Sequence, residues 1–260
     1  MIFESFGLTE NPFSEVLSDK NILIDARFKI ALEHLKILPD IGNIGVLTAR
    51  TGVGKTVLLQ KLMDVWRKNY DVYYLHLGNL KETGLIRSLL NTLGEQPRIS
   101  KDGMFSQLYS CLSKKQRYLC LLLDEAQLMG IPTLTDIRLL GGDLALSGKL
   151  KIILSGQPLL KRTLQSDPLT DLRERVNITV NLSSMNHPET HAYIEHRLKC
   201  AGAKKSIFDE ASIKLIYHHT EGVPRRINRV AIKAMINAWQ KKETQIDEVS
   251  LRLACEADLS

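Results

Sequence analysis

The stretch "TARTGVGKTVLL" (residues 48–59) joins a short apolar run to an amphipathic one. The run "IGVLTA" (44–49) is typical of a buried strand, and the spacing of apolar residues after Gly54 predicts a helix. A loop between a strand and a helix amino terminus presents unpaired backbone N–H groups at the positive end of the helix dipole. Gly52 and Gly54 let such a backbone wrap a phosphate without a Cβ clash. The stretch therefore predicts a phosphate-binding loop that holds a nucleotide.

The loop fits the pattern G-x-x-x-x-G-K-[ST], except that Ala49 stands where the first glycine is usual. Lys55 can reach the β- and γ-phosphates, and the Thr56 hydroxyl can bind Mg²⁺. Alanine tolerates most backbone conformations, so Ala49 leaves the prediction in place. The residues predicted to contact the nucleotide are Arg50, Thr51, Gly52, Val53, Gly54, Lys55, Thr56 and Val57.

A second motif, "LCLLLDEA" (119–126), predicts the metal partner of this loop. Four leucines indicate a buried strand, and Asp124 and Glu125 emerge at its carboxyl end. In open α/β sheets ligands bind at the carboxyl ends of the strands, so both motifs should face one crevice. We expect Asp124, with Thr56, to hold Mg²⁺, and Glu125 to polarise the attacking water.

Strand patterns at 44–49, 71–77, 118–127 and 150–158 alternate with helical patterns, which predicts a parallel sheet with right-handed crossovers. Beyond about residue 185 only helical patterns remain. The fold class predicted is α/β: a P-loop core with a parallel sheet flanked by helices (1–185, including an N-terminal segment 1–20) and an all-helical domain (186–260). With no long apolar run and no signal peptide, we expect a cytoplasmic protein without a membrane partner.

Phosphoryl transfer depends on positioning and electrostatics, so further polar groups should converge on the site. Three segments offer them. Residues 155–157 end the fourth predicted strand and could orient water or the γ-phosphate. Arg173 and Arg175 lie in "DLRERV", and Arg225 lies in "EGVPRRINR".

The motifs "GVGKT", "LLLDEAQ", "LSGQP", "LRERV" and "EGVPRRIN", with the opening "FGLTENPF", carry a family resemblance. In this order, over about residues 3–240, the chain resembles AAA+ ATPases of the ExeA-like (general secretion pathway protein A) branch. The resemblance implies an Mg²⁺-dependent ATPase that converts ATP to ADP and phosphate. It makes Lys55 and Thr56 the Walker A residues and Asp124 and Glu125 the Walker B residues.

The resemblance also implies roles for the outlying residues. Gln157 or Ser155 would be sensor one, Arg175, with Arg173 as the alternative, would be a finger acting in trans, and Arg225 would be sensor two in a helical lid. Phe6, Pro12 and Phe13 would lie near the adenine; the alternative is that these residues pack on the lid. A finger acting in trans needs a second subunit, so the chain is expected to form a homo-oligomeric ring or filament.

Positive charge is concentrated between the second and third predicted strands, in a chain of formal net charge +6. In DNA-threading relatives of the fold this segment lines the central channel. Lys81, Arg98, Lys101 and Lys114 are therefore predicted to contact double-stranded DNA through its phosphates, without sequence specificity. The alternative is an ordinary solvated basic face.

Two functions follow from the resemblance. The first is a DNA-binding regulator of transposition, similar to the MuB and TnsC/TniB type, which oligomerises with ATP on duplex DNA and recruits a transposase and target-selection proteins. The alternative is an ExeA-like secretion-pathway ATPase without DNA binding, with a generic AAA+ protein as a third option. The end of the sequence at Ser260, before the membrane span and cell-wall module implied for secretion-type members, and the basic segment favour the first as an expectation.

Overall fold

A computed structural model describes residues 2–16, 18–76, 84–142 and 149–259 of the chain. The chain divides into two compact units. Arg27–Leu182 form the first, called the α/β unit below. Met1–Ala26 and Ser183–Ser260 together form the second, called the helical unit.

The α/β unit contains a five-stranded parallel sheet in the order β2-β3-β4-β1-β5. In chain order the strands are β1 (Ile44–Thr48), β2 (Asp71–His76), β3 (Leu119–Asp124), β4 (Leu150–Gly156) and β5 (Val176–Asn181). The apolar runs of β1, β3 and β4 are buried along their whole length, as expected for strands covered on both faces. Thr48 pairs with Gly156, and Leu123 pairs with Leu154. This register brings the carboxyl ends of β1, β3 and β4 to one edge.

Because β1, β3 and β4 are buried on both faces, the helices of the α/β unit lie on both sides of this sheet. They are α1 (Ala26–Lys36), α2 (Leu38–Ile41), α3 (Lys55–Trp66), α4 (Gly84–Thr92), α5 (Lys101–Lys114), α6 (Ile131–Gly142), α7 (Pro158–Leu164) and α8 (Thr170–Glu174). Leu89 of α4, Leu108 of α5 and Leu134 of α6 are buried in one core with Leu121 of β3 and Ile152 of β4. Within the described ranges, no helix combines the length and apolar character that crossing a bilayer demands.

Strand β5 is the element that the sequence patterns missed. Its residues alternate between exposed and partly buried positions at the edge of the sheet, so no continuous apolar run marks it. The Asn177 side chain accepts hydrogen bonds from the backbone N–H groups of Asn43 and Ile44 at 2.8 and 3.2 Å. These contacts between residues distant in sequence anchor β5 beside the start of β1.

The helical unit consists of α9 (His187–Cys200), α10 (Glu210–Thr220), α11 (Pro224–Gln240) and α12 (Glu248–Leu259), together with the N-terminal segment. Helix α9 begins after a capping box, in which Asn186 and Glu189 satisfy each other's backbone N–H groups. Ile194, Ile216 and Val230 lie in a core of their own, separate from the core of the sheet.

The N-terminal segment differs from its predicted place. The sequence predicts that residues 1–20 belong to the nucleotide-binding core, whereas the structure groups them with the C-terminal helices. The physical reason is Arg197 of α9, which is only 1% exposed. Its Nε donates to the Pro12 carbonyl at 2.6 Å and its Nη2 to the Ser14 carbonyl at 2.7 Å. The N-terminal segment thus provides hydrogen-bond acceptors for a buried guanidinium, which would otherwise be costly to bury.

Candidate active site

The loop between β1 and α3 has the backbone conformation that its glycines predict. Gly52 and Gly54 have φ angles of +81° and +117°, in the region that side chains with a Cβ rarely adopt. Gly54 is the N-cap of α3 and, having no side chain, gives the first turn no side-chain cap. Ala49 is buried and its N–H donates to the Gly156 carbonyl at 3.1 Å, so this position continues the sheet and does not need a glycine. The loop therefore leaves first-turn N–H groups available for an anion.

Lys55 and Thr56 open helix α3 and point their polar groups in different directions. Lys55 is only 6% exposed, and its Nζ lies 3.5 Å from the carbonyl oxygen of Ala49 at the start of the loop. Thr56 is exposed, and its hydroxyl donates to Asp124 Oδ2 at 2.9 Å. Of the other predicted nucleotide contacts, Arg50 and Thr51 are exposed, Val53 is buried, and Val57 is half-buried.

Asp124 is the centre of the site. Its carboxylate is completely buried at the carboxyl end of β3 and accepts four hydrogen bonds. Oδ2 accepts from the Thr56 and Tyr74 hydroxyls at 2.9 Å each. Oδ1 accepts from the Ser155 hydroxyl at 2.9 Å and from the Glu125 N–H at 3.0 Å. Three hydroxyl donors from separate segments and the N–H of the next residue thus fix one carboxylate beside the phosphate-binding loop.

Tyr74 is a site residue that sequence reasoning missed. Burial, reinforced by the neighbouring Asp124 carboxylate, raises the pKa of Tyr74 well above its usual value. The phenol therefore stays protonated at neutral pH and remains a hydrogen-bond donor to Asp124. The available signal was its position on β2, the neighbour of β3 in the sheet, but the sequence alone did not show that these strands pair.

Glu125 follows Asp124 in a left-handed conformation with φ +60°, which is uncommon for a residue with a side chain. Its carboxylate accepts a hydrogen bond from Gln127 Nε2, in the 3-10 turn Ala126–Leu128. The other end of that amide, Gln127 Oε1, accepts from the backbone N–H of Gln157 at 3.0 Å. Sequence reasoning named Glu125 and Gln157 but overlooked Gln127 between them.

The two sensor-one candidates lie in different surroundings. Ser155 is completely buried in β4 and donates to Asp124. Gln157 is half-buried and is the N-cap residue of α7. Both therefore lie at the edge of the sheet that carries Asp124, and a role for either as a sensor remains a prediction.

The two finger candidates are distinguished by their contacts. Arg173 Nη1 donates to the Gln165 carbonyl at 3.3 Å. Arg175 is exposed and makes no side-chain hydrogen bond or ion pair with any residue in the described ranges. Arg175 immediately precedes β5, whereas the phosphate-binding loop follows the carboxyl end of the parallel strand β1. Arg175 and the phosphate-binding loop therefore lie at opposite ends of these parallel strands.

Arg225 and Phe13 both lie in the helical unit. Arg225 is exposed in the first turn of α11, with Nε 4.0 Å from Glu15 Oε1. Phe13 is completely buried and packs edge-on against Phe208, with ring centroids 6.2 Å apart. This packing is the alternative that the sequence left open for the N-terminal aromatics. The predicted roles of Arg225 and Phe13 at the nucleotide stay predictions.

The four predicted DNA contacts also differ from one another. Lys81 lies outside the described residues. Arg98 and Lys114 are exposed, and no carboxylate in the described part of the chain pairs with either side chain. Lys101, in contrast, is bound to a buried acid: its Nζ lies 2.7 Å from Oδ1 of Asp136 on α6, whose side chain is 2% exposed. In this structure the Lys101 ammonium is thus paired with the Asp136 carboxylate.

Replacing Lys101 by methionine should therefore lower stability. The variant keeps the alkyl stem but leaves the buried Asp136 carboxylate without its cation, and we expect a loss of about 2 kcal/mol in the free energy of unfolding. Urea denaturation measures this loss. Lys114→Met is the matched control and should leave stability unchanged, and Lys101→Met with Asp136→Leu should recover most of the loss. Equal stability of the Lys101 and Lys114 variants would contradict the assignment.

Comparison with known proteins shows what the chain is similar to. Residues 41–164 match the family model of the AAA domain. The chain is 29% identical to general secretion pathway protein A of Aeromonas hydrophila over 98% of its own length. It spans 48% of that relative, about half of its length.

Solved structures show the same fold at low identity. Cdc6p of Pyrobaculum aerophilum matches 96% of this chain and 71% of its own, with TM-score 0.76 and 18% identity. The match to Drosophila ORC bound to DNA covers 100% of this chain and 66% of the ORC chain, with TM-score 0.72 and 14% identity. The match to the Holliday junction branch migration motor RuvB of Thermotoga maritima covers 95% of this chain and 73% of the RuvB chain, with TM-score 0.61 and 16% identity. The predicted fold class is confirmed: the chain has the P-loop AAA fold, with a parallel sheet flanked by helices and a helical C-terminal part.

Proposed function

We propose that this protein is an Mg²⁺-dependent ATPase that converts ATP to ADP and phosphate. The observation that carries the proposal is the direct 2.9 Å hydrogen bond between Thr56 of the phosphate-binding loop and Asp124 at the end of β3. That contact joins two motifs 68 residues apart in sequence. Beside it lie the buried ammonium of Lys55 and the first turn of α3, which together favour a polyphosphate.

Thr56 and Asp124 offer the kind of ligand atoms that a magnesium ion binds. Thr56 offers a hydroxyl oxygen and Asp124 a carboxylate oxygen, and Mg²⁺ prefers oxygen ligands while keeping several of its waters. When bound, Mg²⁺ would neutralise charge on the phosphate oxygens. Tyr74 and Ser155 keep the Asp124 carboxylate oriented toward the loop, because each donates to one of its oxygens.

Glu125 is the group that would orient and deprotonate the attacking water. It is half-buried beside Asp124, so its carboxylate can face the crevice while its backbone N–H remains bound to that neighbour. Lys55 would bind the β- and γ-phosphates through a charge-assisted hydrogen bond, in exchange for its contact with Ala49.

We infer a homo-oligomer from the position of Arg175. The six residues of β5 span about 20 Å and separate Arg175 from the sheet edge that holds the phosphate-binding loop. An arginine at that distance cannot reach the γ-phosphate of its own subunit, but it can reach one bound by a neighbour in a ring or filament. The exposed Arg175 side chain supports this arrangement.

For the biological role we propose an ATP-dependent regulator of DNA transposition that assembles on duplex DNA and recruits a transposase and target-selection proteins. The exposed side chains of Arg98 and Lys114 and the net charge of +6 support binding to phosphates without base recognition. Solved relatives of the same fold include proteins bound to DNA. The alternative, an ExeA-like secretion-pathway ATPase without DNA binding, is supported by the 29% identity to general secretion pathway protein A.

Fluorescence anisotropy with a labelled random duplex separates these two roles. In the presence of a non-hydrolysable ATP analogue and Mg²⁺, we expect binding at low salt that weakens steeply as salt rises, because each phosphate contact releases counterions. Arg98→Ala with Lys114→Ala should flatten that salt dependence and lower affinity about tenfold or more.

The matched control removes the same charge elsewhere. Lys29→Ala with Lys68→Ala also deletes two exposed cations of the α/β unit, and it should leave DNA binding nearly unchanged. If the wild-type protein hydrolyses ATP but binds no duplex at low salt, the regulator role is wrong and the secretion-type ATPase is favoured.

A further inference from the structure

We propose that Gln127 is a positioning residue that holds the carboxylate of Glu125 and ties it to the end of β4. The inference rests on the proposed ATP hydrolysis, in which Glu125 acts on the attacking water. Gln127 lies in the short turn Ala126–Leu128 and is only half-buried, so packing alone does not account for its contacts.

The orientation of the Gln127 amide follows from its two neighbours. A backbone N–H can only donate, so the Gln127 atom that lies 3.0 Å from the Gln157 nitrogen must be its carbonyl oxygen. The NH₂ group then faces the Glu125 carboxylate, which, when ionised, can only accept. Each end of the amide is thus matched by one partner, and a reversed amide would lose both hydrogen bonds.

Gly156 supplies an independent observation. A Cβ added at this position would lie 2.7 Å from Gln127 Oε1, closer than non-bonded atoms approach. Gly156 has no left-handed φ angle, so the backbone conformation does not require a glycine there. An added Cβ would also lie 3.0 Å from Leu160 Cδ2, so a methyl group fits there only if the end of the Gln127 side chain moves and Leu160 shifts slightly. The Gln127 amide therefore lies directly against the backbone at the end of β4, in space that a side chain at position 156 would enter.

The backbone of Glu125 explains why its side chain needs a partner. A non-glycine residue in the left-handed region costs about 1 kcal/mol or more, and such strain persists only where surrounding contacts over-determine it. The Glu125 N–H is held by Asp124 and its carboxylate by Gln127. Removing the second contact frees the carboxylate to rotate, while the loop that binds the nucleotide is untouched.

Steady-state kinetics of Gln127→Met test the role. Methionine has a similar length but neither donates nor accepts the two hydrogen bonds, so we expect kcat to fall about tenfold while KM for ATP changes less than twofold. Leu128→Ala, at the exposed next residue, is the matched control and should retain the wild-type rate. An unchanged or raised kcat in Gln127→Met would overturn the proposal.

Gly156→Ala tests the same contact from the other side. The added methyl group displaces the flexible end of Gln127, so we expect a similar fall in kcat with little change in KM. In the Gln127→Met background, Gly156→Ala should lower kcat by less than it does alone, since the contact with the Gln127 amide is already lost and the close approach to Leu160, at 3.0 Å, remains. Independent, multiplicative effects of the two substitutions would contradict the assignment.

A measurement without nucleotide separates this inference from the ATPase proposal. The side-chain amide resonance of Gln127 in a ¹⁵N–¹H spectrum, identified by its loss in Gln127→Met, should shift in Glu125→Gln and stay in place in Lys29→Ala. If the wild-type protein hydrolyses no ATP, the proposed function is wrong, and this resonance still reports the contact. A resonance that Glu125→Gln leaves unmoved would overturn the inference even in an active enzyme.

Discussion

Lys55→Ala is expected to bind ATP about 100-fold more weakly than the wild-type protein. The Lys55 ammonium is buried next to the phosphate-binding loop, where a charge-assisted hydrogen bond to phosphate contributes about 2–3 kcal/mol. A difference of 2.7 kcal/mol corresponds to a factor of about 100 in affinity. Titration with a fluorescent ATP analogue measures the loss directly.

The control for Lys55 is a cation of the same unit that lies elsewhere. Lys29→Ala removes one exposed positive charge from α1 and should keep the wild-type affinity. Thermal unfolding of both variants without nucleotide shows whether Lys55→Ala is folded. A folded Lys55→Ala protein with undiminished affinity would refute the assignment of the loop.

Glu125→Gln is expected to bind ATP normally and to hydrolyse it at least about 100-fold more slowly, as for the loss of a general base. The substitution keeps the size of the side chain and an oxygen that can accept from Gln127, but the amide cannot take a proton from water. The comparison of phosphate release with analogue binding separates the two effects.

The same chemical change at a distant site controls for the removal of a negative charge. Asp102 is exposed on α5, and Asp102→Asn should leave both hydrolysis and binding unchanged. A Glu125→Gln protein that turns over ATP at the wild-type rate would move the catalytic role to another residue.

The part of the site that could be predicted consists of residues whose roles follow from local pattern and one rule of sheet topology. Glycines 52 and 54 reveal the loop, and the apolar run before Asp124 reveals a buried strand. The rule that parallel strands end at one edge then joins them, and the Thr56–Asp124 hydrogen bond shows that contact.

The residues that escaped prediction act through contacts between segments far apart in sequence. Tyr74 is a site residue only because β2 pairs with β3, and Lys101 is an ion-pair residue only because α6 brings Asp136 to it. Gln127 was close to the motif, but its role depends on the Gln157 backbone N–H. Such partners are fixed by tertiary packing, which no single-segment periodicity encodes.

The contact between Arg197 and the Pro12 carbonyl has a consequence for biosynthesis, because 185 residues separate the two. The intervening Arg27–Leu182 unit can complete its sheet as soon as its last strand has left the ribosome. Pro12 and Ser14, in contrast, cannot reach their hydrogen-bond partner until Arg197 has been synthesised. We therefore expect the two units to mature in sequence during translation, with the segment around Pro12 reaching its native place after the Arg27–Leu182 unit.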